Sequence, residues 1–274
     1  MNIFRDKTAI VTGGASGIGR AICLELGKRG AIVHVTDIET ERARQVADEI
    51  AATGGLAIAS NLDVTRAESV KKLIEETAEE NGRLDYMFNN AGIAIVGEVR
   101  DMNLEHWRRI VDVNLWGVIY GTKAAYSVMV RQGFGHIVNV SSLAGLAPFP
   151  SVSSYVATKY AVVGLSTAMR AEGEALGVKI SVVCPGFIQT GIHYAGTLLG
   201  ADREKLLQSI RVKIMDSQKA ARIILEGVSR NRAIVVVTPH AHVLWRLYKY
   251  FPGIFAILAR KGMKDFRAIR SESI

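Results

Sequence analysis

Thr8-Ala9-Ile10-Val11-Thr12-Gly13-Gly14-Ala15-Ser16-Gly17-Ile18-Gly19-Arg20 is the stretch that decides the fold. A short apolar run enters a glycine-rich turn, and a helical pattern leaves it and continues to Gly30. A strand, such a turn and a helix N-terminus together make an anion site. Glycines let the backbone approach a ligand closely, and free N–H groups at the helix start face phosphates. A glycine-rich turn alone often marks only a tight bend. At the first strand–helix junction, however, Gly13, Ser16, Gly17, Ile18 and Gly19 become candidate phosphate-binding residues.

Outward from this unit the pattern repeats. An apolar run over residues 31–36 ends in Asp37. A carboxylate at the end of a second strand can accept hydrogen bonds from adenosine ribose hydroxyls and repels a 2′-phosphate. Ile38 beside it supplies no compensating cation, so the pattern favours NAD over NADP. Asp37 equally fits an N-cap for a helix over 39–53. Strands are expected at 56–61, 84–88, 136–140, 179–184 and 233–237, and helices at 67–81, 104–131, 152–176 and 217–229. Strands alternating with helices imply an α/β protein with a doubly wound, mostly parallel seven-stranded sheet, helices covering both faces.

Ser142 follows the apolar run Ile137-Val138-Asn139-Val140, which places it at a strand's C-terminal end, the edge where such sheets bind ligands. Tyr155 and Lys159 are four apart on a helix and share a face. A phenol ordinarily titrates near 10, and a neighbouring ammonium favours the phenolate. Ser, Tyr and Lys together can move a proton on and off an alcohol oxygen. A Tyr–Lys pair at this spacing is also a common surface contact, so the other motifs carry the argument.

Those motifs agree in order and spacing: the Thr12–Gly19 turn, Asn89-Asn90-Ala91-Gly92, Asn114, Ser142, Tyr155-x-x-x-Lys159, and Pro185-Gly186 with Thr190. The chain resembles the short-chain dehydrogenase/reductase family over roughly residues 7–237. The resemblance implies a Rossmann-type fold and NAD(P)-dependent interconversion of a hydroxyl and a carbonyl by homotetramers or dimers. It further implies Tyr155 as acid/base, Ser142 rather than Ser141 holding the substrate oxygen, and Lys159 lowering the tyrosine pKa and bonding the nicotinamide ribose. Asn114 would position a water relay to Lys159. Asp63 and Val64 would lie at the adenine, Asn90 and Gly92 near the ribose, and Pro185, Ile188 and Thr190 along the nicotinamide end.

A catalytic domain is expected over 1–238, with a substrate loop at about 190–215 and an extension over 239–274. Leu143, Phe149, Phe187 and Tyr194 are candidate apolar walls for a lipophilic substrate of steroid, fatty-acyl or aromatic type, or else they pack the domain. His193 reads as a structural histidine. The alternatives are an NADPH-type carbonyl or 3-ketoacyl reductase and a non-catalytic dinucleotide-binding regulator. Cys23 and Cys184 belong to no Cys/His cluster, so neither disulfide nor metal site is expected. No apolar signal core precedes the first strand, which points to a cytoplasmic protein.

The charge is uneven. From Arg230 onward nine Lys/Arg face only Asp265 and Glu272, so the tail carries nearly all of the net +8. Residues 242–251 and 254–259 are apolar with flanking cations, and Pro252-Gly253 separates them. Neither half reaches the about 20 residues a spanning helix needs. Two readings stand: a helix lying in a membrane interface, or a segment docked on a neighbouring subunit, the latter slightly favoured. Nucleic acid is not expected as a partner, since charge alone speaks for it.

Overall fold

A computed structural model describes residues 2–189, 196–209 and 213–270. Its first half runs β1 (Thr8–Thr12), α1 (Gly17–Lys28), β2 (Ile32–Asp37), α2 (Thr40–Ala52), β3 (Leu56–Asn61), α3 (Ala67–Glu80) and β4 (Tyr86–Asn89). Then come β5 (Ile95–Val96), α4 (Leu104–Val111), α5 (Gly117–Gln132), β6 (Gly135–Val140), α6 (Ser153–Glu174) and β7 (Val178–Cys184). Last are β8 (Thr197–Leu198), α7 (Arg203–Ser209), α8 (Ser217–Ser229), β9 (Ile234–Val236), α9 (Pro239–Tyr250) and α10 (Pro252–Ala268).

Seven strands form one sheet in the order β3-β2-β1-β4-β6-β7-β9, every pairing parallel. This is the Rossmann-type arrangement. The strand order reverses between β1 and β4, which opens a crevice at their C-terminal ends. Alternate side chains serve opposite faces. Ala9 and Val11 join the cluster containing α1, α2 and α8, while Ile10 joins that of α3 and α5.

Helix α1 shows how packing prepares the crevice. Ile22 and Leu26 are fully buried, each contributing about 1.5–3 kcal/mol. Its N-cap, Ser16, makes no side-chain capping bond. Burial holds the helix, so its first N–H groups stay available to an anion.

The expected helix over 104–131 is two α-segments joined by a π-helical turn, Asp112–Trp116. The β5–β8 pair is also additional to the sequence reading. Two residues per strand leave no periodicity to detect.

The extension docks on its own chain. Ala241, Leu244, Trp245, Leu247, Tyr248, Phe255 and Ala259 pack with Leu143, Leu146, Ala147 and Val162. Proline at its first position starts α10. At the far end, Arg267 and Arg270 grip Glu98 at 2.7 and 3.0 Å, and Arg270 also holds Asp101 at 2.6 Å. The Asp202 N–H donates to the Ile269 carbonyl at 3.1 Å. This latch joins the end of the chain to both segments flanking the β5–β8 pair.

The hydrogen bond from Arg267, with Arg100 adding to it, holds the Glu98 carboxyl down to about 2 from 4.5. A depressed carboxylate contributes stability that is present above 4.5 and lost as pH falls toward 2. Glu98→Gln is therefore expected to melt below the parent near neutrality, with the gap closing below pH 4.5. Thermal unfolding followed by circular dichroism across that range checks it; a constant gap would mean the latch is not electrostatic.

Candidate active site

Three loops meet at the crevice. The first is the glycine turn. Gly13 has φ +64° and Gly17 φ +53°, conformations that L side chains rarely adopt. A Cβ on Gly19 would stand 2.1 Å from the Gly13 carbonyl oxygen. The turn is held from the neighbouring strand's end. Thr12 Oγ1 accepts from Asn90 N (3.0 Å) and Ala91 N (3.1 Å). Asn90 Nδ2 donates to the Thr12 and Gly13 carbonyls at 2.9 and 3.1 Å. Asn90, expected near a ribose, thus has its amide committed to the turn itself.

Asp37 ends β2 beside this turn. Its Oδ2 accepts from Ala15 N and its Oδ1 from Glu39 N, both at 3.0 Å. The expected N-cap role falls instead to Glu39, and α2 begins at Thr40. Asp63 closes a local turn through the Thr65 N–H and hydroxyl, the hydroxyl bond pulling its carboxyl down. Val64 is buried against Gly117. Sequence reading missed a cavity of about 430 Å³ outside the turn, lined by Ala15, Ser16, Gly17, Arg20, Arg42, Gln45, Val46 and Glu49. Ile38 is no cation, but Arg42, in the first turn of α2, is.

The second loop carries Gly92. Asn114, buried in the π turn, accepts from Ile93 N at 2.8 Å and donates to Ile93 O at 2.9 Å. One amide thus fixes both backbone groups of that residue. A Cβ on Gly92 would lie 3.2 Å from Asn114 Oδ1 and 3.5 Å from Lys159 Nζ. Glycine keeps that space open. π turns recur at functional sites because they re-aim one residue of a helix, here Asn114.

The third is the Ser142–Tyr155–Lys159 group. Ser141 is buried and donates to the Lys159 carbonyl at 2.8 Å. Ser142, half-buried, accepts from Ala144 N at 3.1 Å and faces the Tyr155 phenol. Lys159 is 3% exposed; its Nζ donates to Val140 O at 3.0 Å and lies 5.4 Å from the Tyr155 ring. Burial raises the phenol, and the Ser142 hydroxyl partly offsets this. Burial also takes the Lys159 amine down to about 8, so it stays an ammonium below that pH.

Beneath these loops runs a buried amide network that sequence reading did not assemble. Asn89 Nδ2 donates to Asn139 Oδ1 (2.8 Å), which also accepts from Thr122 Oγ1 (3.1 Å). Asn139 Nδ2 donates to Ser166 Oγ at 3.0 Å. It ties β4, β6, α5 and α6 together under the site.

The apolar candidates divide. Leu143 is buried in the core. Phe149 is half-buried, edge-on to Phe255 of α10 at 5.6 Å. Phe187 lies 5.8 Å from the His240 ring, and His240 Nε2 accepts from Phe187 N at 3.0 Å. Pro185 O accepts from Leu143 N at 2.7 Å, and Ile188 is buried and bridges Met215. Thr190, His193 and Tyr194 lie outside the described residues. Cys23 and Cys184 are free buried thiols.

A nicotinamide dinucleotide fits what is present: a turn that side chains would fill, uncapped helix N–H groups, a carboxylate at the end of β2, and a glycine, Gly92, set against Lys159. The chain is 36% identical over 267 residues to EphD of Mycobacterium tuberculosis, named an oxidoreductase; the match covers 94% of this chain but 45% of that protein. A cyclohexanol dehydrogenase of Acinetobacter is 41% identical over 192 residues, 69% of this chain and 76% of the relative. A short-chain dehydrogenase/reductase from Burkholderia phymatum, solved with NAD, superposes with a TM-score of 0.83 at 27% identity, over 92% of this chain and 95% of that one. With the short chain dehydrogenase family model matching residues 7–196, the chain belongs to that family of oxidoreductases.

Proposed function

We propose that the chain interconverts a secondary alcohol and a ketone, with NAD(H) as the redox partner and a lipophilic substrate. The observation that carries this is the Tyr155 phenol, set against the Ser142 hydroxyl and Lys159 at the open edge of β6. The nicotinamide, when bound, supplies the two-electron chemistry. Ser142 holds the substrate oxygen, and Tyr155 takes its proton in oxidation or gives one in reduction. Lys159, an ammonium below about pH 8, favours the phenolate as it forms. Asn114 holds the Gly92–Ile93 backbone beside that amine. Half-buried Phe149 and Phe187 supply apolar wall. The family's habit of assembly makes a dimer or tetramer the expected form.

Asp37 supports NAD. A carboxylate near a 2′-phosphate costs several kcal/mol at an effective dielectric of about 20, so NAD⁺ is expected to exceed NADP⁺ by at least about tenfold in kcat/KM. Arg42 and Arg20, in the cavity beside Ser16, favour the second reading, in which NADPH serves a ketone reductase. Arg20 is paired with Glu49, leaving Arg42 as the cation that counts.

The test is nicotinamide absorbance with NAD⁺ and NADP⁺ over secondary alcohols graded in apolar bulk, repeated in reverse with ketones. Turnover with NAD⁺ that improves with bulk is expected. Preference for NADP⁺ would overturn the argument from Asp37, and absence of turnover with every combination would overturn the enzyme assignment.

A further inference from the structure

Six apolar side chains of α9, α10 and the bend between them face outward. Val243, Tyr250, Phe251, Ile254, Ile257 and Leu258 are between 47% and 65% exposed. Soluble proteins scatter such residues, and a contiguous group marks a contact surface. On α10 the inward stripe is Phe255, Ala259 and Phe266, with Phe255 and Phe266 buried. The opposite stripe is Ile254, Ile257, Leu258, Lys261 and Lys264, at three- and four-residue spacings that share one face. The helix therefore has two apolar sides at its start, and the chain covers only one.

Charge identifies the occupant of the other. Between residues 239 and 270 stand seven Lys/Arg and one acid, Asp265. Arg267 and Arg270 are neutralised by Glu98 and Asp101. Arg246, Lys249, Arg260, Lys261 and Lys264 form no ion pair among the described residues. Lys249 lies over the rings of Trp245 and Tyr250, at 6.0 and 5.3 Å. A second copy meeting this face about a two-fold axis would set five cations against five. Anionic lipid headgroups supply the missing counter-charge, and the layer beneath them takes the apolar side chains. No helix among the described residues is long and apolar enough to cross a membrane. We infer that the bend is a peripheral docking surface for a bilayer leaflet containing anionic lipid, lying in the interface rather than spanning it.

The experiment is co-sedimentation of the full chain with vesicles of equal parts phosphatidylserine and phosphatidylcholine, against pure phosphatidylcholine. Binding to the anionic vesicles only, weakening as salt is raised, is the expected result. Ile257→Glu with Leu258→Glu should abolish it. Lys261→Gln with Lys264→Gln should lower the partition coefficient about thirtyfold, at about 1 kcal/mol per cation. All four positions are exposed, and retained cofactor binding reports that each variant is folded. Failure to sediment with anionic vesicles overturns the inference, as does undiminished binding by the double-glutamate variant. A drop in solution mass on introducing those glutamates would make the face an interface between copies and overturn it equally. None of these readouts depends on turnover.

Discussion

Tyr155→Phe is expected to lower kcat by about a hundredfold to ten-thousandfold, the range a positioned acid or base contributes. The substitution keeps the ring on α6 and removes only the hydroxyl that faces Ser142. Ser142 retains its bond from Ala144 N, and Lys159 retains Val140 O, so neither neighbour loses its anchor. The glycine turn and Asp37 lie on other strands and are untouched. Dinucleotide affinity should therefore stay within about twofold. Steady-state rates and fluorescence titration with NADH separate the two quantities. A variant turning over near the parent rate would remove Tyr155 from its role, whatever its affinity.

Gly19→Ala should cost both stability and cofactor binding. The added methyl meets Gly13 O at 2.1 Å and Asn90 Nδ2 at 2.5 Å, and the first of these is backbone. Gly13 cannot easily retreat: its own φ is +64°, and a Cβ there would already meet Ala91 Cα at 2.9 Å. Relief must come from α1 shifting off the turn, which strains the packing of Ile22 and Leu26. Overpacking of this kind costs about 1–3 kcal/mol, and a displaced helix start should weaken NADH binding by at least about tenfold. Gly262→Ala is the control. Nothing lies within 4 Å of its Cβ position, so it should be neutral or stabilising by up to about 1 kcal/mol. Chemical denaturation and NADH titration of both variants check this. If Gly19→Ala binds NADH as the parent does, the turn is not the phosphate cradle.

Features encoded by nearest neighbours were legible in the sequence. The strand–turn–helix at Thr8–Arg20 and the period-two and helical patterns follow from local residue order. What escaped was set by partners far along the chain. Asp37 reaches Ala15, 22 residues away, and Asn114 reaches Ile93, 21 residues away, through a π turn that no periodicity announces. Asn89 and Asn139 stand 50 apart, and only the finished sheet brings them together. The protonation of Tyr155 and Lys159 depends on burial, which spacing on a helix does not report. The extension's two apolar halves were visible, but not that Tyr248 and Phe255 turn inward while Phe251 and Ile257 turn out.

The latch has a consequence for biosynthesis. Arg267 and Arg270 meet Glu98 and Asp101 across 169 to 172 residues of sequence. Strands β1 to β6 and the crevice between them can assemble while later residues are still being added, since chains fold from the N-terminus as they emerge from the ribosome. The clamp beside β5 and β8 cannot close until the last turn of α10 has cleared the exit tunnel. A nascent or prematurely ended chain thus has its glycine turn and its tyrosine before it has the clamp.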